Sequence, residues 1–191
     1  MSIGDFITGY GPVAVLLGVV FEGETAAFLG GLFSHRGLMP YWEAAAAAVF
    51  GSWIGDQTLF YAGRYADRFP IVNRAMHAKH AERVKALLLV HPDAFIFSFR
   101  FIFGLRTISP VIIGLSGVSP LRFFIINLAA ALVWGVGVTM AGYLFGNAIE
   151  TAFGHLGLYT DLVVALVIVG IIWALVAYVS HKTKTHSPKV P

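Results

Sequence analysis

The sequence predicts an all-α integral membrane protein made of two inverted repeats, each a re-entrant hairpin plus a transmembrane helix. Composition is the first observation: 58% of the 191 residues are apolar and 12% charged, against about 45–50% and about 25% in soluble domains, and the mean hydropathy is +0.78. The second is that apolar residues gather in five runs, 13–33, 40–62, 94–113, 120–145 and 158–179, each on the scale of the ~20 residues that cross a bilayer. The third is that two of these runs carry charges and helix breakers in their middle.

The first run holds Glu22, Gly23 and Glu24 at its centre, with Gly30 and Gly31 beyond. Non-helical backbone survives at membrane depth only where protein or a watery cavity satisfies its polar groups, so this run reads as a hairpin. Only Asp5 precedes it, without the basic start of a signal peptide, and the chain is read as mature from its first residue. The second run is a spanning helix whose stretch Ala44 to Ala48 offers a small-residue face for packing within the bundle.

Residues 64–92 are the one markedly polar stretch, with Arg64, Arg68, Arg74, Lys79, Arg83 and Lys85 set between Val72, Met76, Val84 and Leu87 to Leu89. This pattern predicts an amphipathic helix along the membrane surface. The tail 181–191 adds Lys182, Lys184 and Lys189 without an acid. Short basic segments stay in the cytoplasm, so both face inside. The chain then makes an even number of crossings between residues 92 and 181, and one of the three intervening runs must fail to cross. Run 94–113, with Arg100, Gly104, Arg106 and Pro110, is that run, a second hairpin entering from the cytoplasm. The first hairpin enters from the outer face, and the two point at each other. Run 120–145 spans, and the Val-, Ile- and Leu-rich helix 158–180 faces lipid.

Gly37-Leu38-Met39-Pro40 and Gly117-Val118-Ser119-Pro120 share the form Gly-x-x-Pro at an offset of 80, as do Gly55 and Gly135. The chain thus divides, within a single membrane domain 1–191, into repeat 1 (10–63), connector (64–92), repeat 2 (93–145), C-terminal helix and tail. Opposed repeats of this kind form the plan of many secondary transporters.

Glu22, Glu24, Asp56, Arg100 and Arg106 fall at membrane depth, where each unpaired charge costs on the order of 2.5–3.5 kcal/mol on insertion scales. The offset sets Glu22 and Glu24 opposite the Arg100–Arg106 stretch, so mutual pairing is expected. Three carboxylates against two guanidiniums leave one surplus negative charge, removable by a proton or by Arg64 reaching inward. The arginines suit an anionic ligand such as a phosphate, gripped bidentately. The same pairs read equally as braces between hairpin tips.

Phe21-Glu22, Gly23-Glu24, Gly55-Asp56 with Tyr61, Gly63-Arg64, the run R-x-x-x-G-x-R-x-x-x-P-x-x-x-G from Arg100 to Gly114, Phe123, Asn127 and Trp134 together resemble the DedA family, also called the SNARE-associated Golgi protein or VTT-domain family. The resemblance covers about residues 10 to 145. It implies a bacterial inner-membrane protein with two opposed re-entrant hairpins that moves lipids between leaflets, with links to undecaprenyl phosphate recycling, phospholipid scrambling and the proton motive force. Glu22 matches the family's first membrane acid, and Arg100 and Arg106 its paired arginines. Many members carry a second acid in a Pro-Gly-Glu or Pro-Gly-Asp turn about a dozen residues on; here that proline is absent and Glu24 follows Glu22 at once.

The resulting expectation is a lipid transporter, not an enzyme. Arg100 and Arg106 bind a lipid phosphate, Glu22, Glu24 and Asp56 carry protons and ion pairs, and Arg64, Pro110, Asn127 and Trp134 support them. The partners are membrane lipids and protons. Lys and Arg lie in the connector and tail rather than along a face, which speaks for membrane orientation and against nucleic acid. The alternatives are a membrane enzyme acting on lipid phosphates, for which the hairpins lack a histidine nucleophile, and an assembly factor. A homodimer is compatible with the sequence. No cofactor or metal is expected: there is no cysteine, and His77 and His80 stand beside Lys79 and Arg83, which repel cations. Ser34-His35 reads as loop, and Tyr41, Trp42 and Tyr159 as an interfacial belt.

Overall fold

The computed structural model describes residues 3–65, 88, 90–102 and 105–153. Most of the connector, Gly104, His77 and His80, Tyr159, the helix 158–180 and the basic tail lie outside the described residues. By contacts the chain forms two compact units, Met1–Phe145 and Gly146–Pro191. The packing described below belongs to the first; of the second, only the end of the last helix is described.

Every described element is helical. The helices are α1 (Ile3–Phe21), α2 (Glu24–His35), α3 (Tyr41–Tyr65), α4 (Pro92–Ser98), α5 (Ile108–Leu115) and α6 (Pro120–Phe153), with a 3-10 turn at Phe99–Phe101 after α4. The first apolar run breaks where Glu22 and Gly23 interrupt it. Gly23 takes φ 88°, ψ −94°, a conformation natural to glycine alone. α1 and α2 then lie antiparallel: a Cβ on Gly18 would come 2.8 Å from Ala26, and one on Gly30 would come 3.0 Å from Val15. Small residues let these arms approach. An apolar crevice of about 170 Å³ remains between them, lined by Gly11, Ala14, Val15, Ala26, Leu29 and Gly30 among others. α1 begins ten residues earlier than the apolar run, and α6 continues through the polar Asn147 and Glu150 to Phe153 instead of ending near 145.

α2 ends at Arg36. The Gly37 and Leu38 N–H groups donate to the Ser34 and Phe33 carbonyls, 3.1 and 3.0 Å, a Schellman closure that needs the left-handed Gly37, φ 70°. α5 stops at Ser116, whose N–H donates to the Ile112 and Ile113 carbonyls, and is followed by the left-handed Gly117, φ 81°. Pro40 and Pro120 then start α3 and α6 at positions where a missing N–H costs nothing. Pro110 is buried within the first turn of α5 for the same reason.

α3 packs along α1, α2 and α5. A Cβ on Gly63 would strike the Val111 carbonyl and one on Gly114 the Phe60 carbonyl, so α3 and α5 touch backbone to backbone. α2 meets α6 in the same fashion through Gly31 against Thr139 and Gly142 against Phe28. One core gathers Phe60, Phe95, Phe99, Ile113 and Phe123, with Phe60 and Phe123 stacked at 4.3 Å. The other gathers Val15, Val19, Ala27, Ala44, Ala47, Ala48 and Trp134, which puts the alanine face inside the bundle. Large apolar side chains point outward along α1, α3 and α6, among them Leu17, Phe50, Ile54, Leu132 and Val133, a surface suited to lipid and not to water. Among the described residues one helix, Pro120–Thr151, is both long and apolar enough to cross a bilayer. α3, at 25 residues, is about 37 Å long but carries Glu43, Asp56 and Arg64.

Candidate functional site

Two guanidiniums converge where the broken segments meet. α3 supplies Ser52 and Asp56 one turn apart on one face, and α6 supplies Asn127 and Trp134 two turns apart on another. Arg100 projects from the 3-10 turn that ends α4, just before the chain becomes extended at Ile102. Its Nη2 donates to Asp56 Oδ2 at 2.6 Å and to Asn127 Oδ1, and its Nη1 to Ser52 Oγ at 3.3 Å. Arg106 stands in the turn before α5. Its Nη1 donates to Glu24 Oε1 at 3.0 Å and its Nη2 to the same Ser52 Oγ at 3.3 Å, with the guanidinium 4.4 Å from the Trp134 ring centroid. Gly23 sits so close that a Cβ there would collide with this guanidinium.

The two ion pairs differ in strength because they differ in exposure. The Arg100 and Asp56 side chains are 0% and 5% exposed, those of Arg106 and Glu24 17% and 57%. Removing one partner of a buried pair costs about 3–5 kcal/mol, whereas an exposed pair is worth about 0–1 kcal/mol. Asp56–Arg100 therefore locks α3 to the second broken segment, and Glu24–Arg106 is a light contact. Arg100 Nε and Asn127 Nδ2 are buried without a hydrogen-bond partner among the described residues.

Glu22 is exposed at the end of α1 and makes no ion pair among the described residues. The surplus negative charge thus lies at the protein surface and not within the buried cluster, because the break turns Glu22 outward. Arg64 does not reach the cluster; its Nη1 donates to the Val118 carbonyl at 2.8 Å, bracing the turn between α5 and α6. Ser52 was not among the residues expected. Its one sequence signal is its position four residues before Asp56, on the same helix face. Outside the cluster, Arg122 forks onto Asp93 at 2.6 and 2.8 Å, and these hydrogen bonds hold the exposed Asp93 carboxyl below its usual range. The crevice between α1 and α2 shares no residue with the cluster.

Residues 10–144 match the family model of the VTT domain. The chain is 31% identical over 180 residues to inner membrane protein YohD of Escherichia coli (strain K12), covering 92% of this chain and 94% of that protein. It is 31% identical over 135 residues to the uncharacterized membrane protein ML0287 of Mycobacterium leprae, 69% of this chain and 61% of that one. With inner membrane protein YqjA of Escherichia coli (strain K12) it shares 30% identity over 132 residues, 65% and 58% of the two chains. No solved structure gives a significant match. The matched span contains Glu22, Glu24, Ser52, Asp56, Arg100, Arg106, Asn127 and Trp134, and the chain belongs to the VTT-domain family, also known as the DedA family.

Proposed function

We propose that this protein is an inner-membrane transporter, not an enzyme, that moves a phosphate-bearing lipid such as undecaprenyl phosphate or a phospholipid between leaflets, coupled to protons. The observation that carries the reading is the convergence of two guanidiniums on the single Ser52 hydroxyl, at the point where two helix breaks meet. Two fixed positive charges and a planar fork suit a phosphate. The opposed re-entrant hairpins and the inverted repeat belong to the same proposal. Their support is the left-handed Gly37 and Gly117 at an offset of 80, and the reciprocal seams of α2 on α6 and α5 on α3. The relatives named inner membrane proteins support the location. Glu22, exposed at the tip, and Glu24 and Asp56, on the arginines, are the candidate proton carriers.

The test is reconstitution in liposomes with a leaflet-specific readout of labelled lipids, with and without a pH gradient. Arg106→Lys keeps the charge and loses the fork, so transport should fall about tenfold or more, the worth of a charged hydrogen bond, while thermal stability in detergent holds. Glu22→Gln should fold and transport without responding to the gradient. Normal transport in both variants, or transport that merely tracks stability, would make the cluster a brace.

A further inference from the structure

The Arg106 guanidinium is largely covered, its side chain being 17% exposed. The Trp134 ring lies against it, Gly23 is packed onto it, and Ser52 holds Nη2; all three of these residues are buried. Nη1, the atom nearest Gly23, is also held by Glu24, whose side chain is 57% exposed. An anion arriving from lipid or water therefore meets Arg106 at the place where the Glu24 carboxylate already sits. Arg100 offers no such opening, since its side chain is 0% exposed and its fork is shared among Asp56, Asn127 and Ser52.

Resting on the reading that the arginine cluster receives a phosphate, here at Arg106 and in the field of Arg100, we infer that Glu24 is a specificity-determining residue, an internal carboxylate that an incoming anion must displace from Arg106 while Arg100 keeps its partners. Exchange is feasible because Glu24 holds Arg106 through a single hydrogen bond and its side chain is 57% exposed, so it leaves toward the exposed side without disturbing the core. The device discriminates by charge. A monocarboxylate replaces one carboxylate by another and gains nothing. A phosphate monoester carries about −1.5 to −2 charges near neutral pH and three acceptor oxygens, so it gains both on Nη1 and from the field of Arg100 behind it. The ligand is accordingly a phosphate monoester borne by a lipid, or the free phosphate ion.

The experiment is calorimetric titration of the full chain in nanodiscs with three probes: dihexanoyl phosphatidic acid, inorganic phosphate and hexanoate. Wild type should bind the phosphate probes and not hexanoate. Glu24→Gln should bind phosphate about fivefold more tightly and should acquire hexanoate binding. Glu24→Ala should behave likewise, and thermal unfolding of both variants should confirm that they fold. Tight binding of the lipid probe alone identifies a lipid-borne phosphate, and equal binding of inorganic phosphate identifies the free ion as sufficient. If both Glu24 variants fold and keep wild-type affinity and selectivity, while Arg106→Gln abolishes binding, the competitor role is overturned and the phosphate reading stands. If no phosphate probe binds wild type or either Glu24 variant, or if Arg106→Gln binds like wild type, the phosphate reading itself fails.

Discussion

Ser52 accepts from both guanidiniums with one oxygen, so its removal strips an acceptor from two charged donors at once. Ser52→Ala should destabilise by about 1–3 kcal/mol, and Ser52→Thr should restore most of the loss, read by thermal unfolding in detergent. Asp56→Ala, which leaves Arg100 buried and uncompensated, should cost about 3–5 kcal/mol, while Glu24→Gln should cost about 1 kcal/mol or less. An equal loss from the two acidic residues would mean that exposure does not govern the pairs. The charged members of this cluster were legible in the sequence because an ionisable residue within an apolar run stands out. Which acid meets which base was not, since the offset aligned Glu22 and Glu24 with the arginines together and left Asp56 unassigned. Ser52 was hidden for a plainer reason: a hydroxyl on an apolar helix carries no hydropathy signal.

At the level of elements, the helix stops are set by glycine geometry. Gly37→Ala and Gly117→Ala each force a side chain into a left-handed turn and should each cost about 1 kcal/mol, measured by unfolding of the single variants and the pair. Clearly unequal losses would show that the two turns do not serve as equivalent stops. These turns were legible from Gly-x-x-Pro, and the breaks at Glu22–Gly23 and around Arg100–Arg106 from charges and breakers inside apolar runs. The outer limits of α1 and α6 were not, because hydropathy registers the apolar part of a helix and is silent on the polar turns that extend it. The backbone seams of Gly31, Gly63, Gly114 and Gly142 also escaped sequence reading, since a glycine in a helix does not announce its partner.

For the whole molecule, composition alone separated this chain from soluble folds, and the outward-facing apolar side chains agree with that. The charge distribution predicts an orientation with residues 64–92 and the tail inside, since nine of the thirteen Lys and Arg residues lie in residues 64–92 and after Ser180. Because the chain has no cysteine, single cysteines at Ala78 and Thr185 should be labelled by an impermeant reagent only after the inner face is opened. Labelling of either in intact cells would reverse the orientation. The reciprocal seams also impose an order on biogenesis. The glycine face of α2 is covered by α6, which leaves the ribosome long after it, and the seam of α3 waits likewise for α5. Neither half covers its own glycine seam. The nascent N-terminal half must persist in the membrane with a bare backbone groove until residue 142 has been made. Substitutions on α6 should therefore surface first as degradation of newly made chains, ahead of any loss of stability in molecules that have finished assembling.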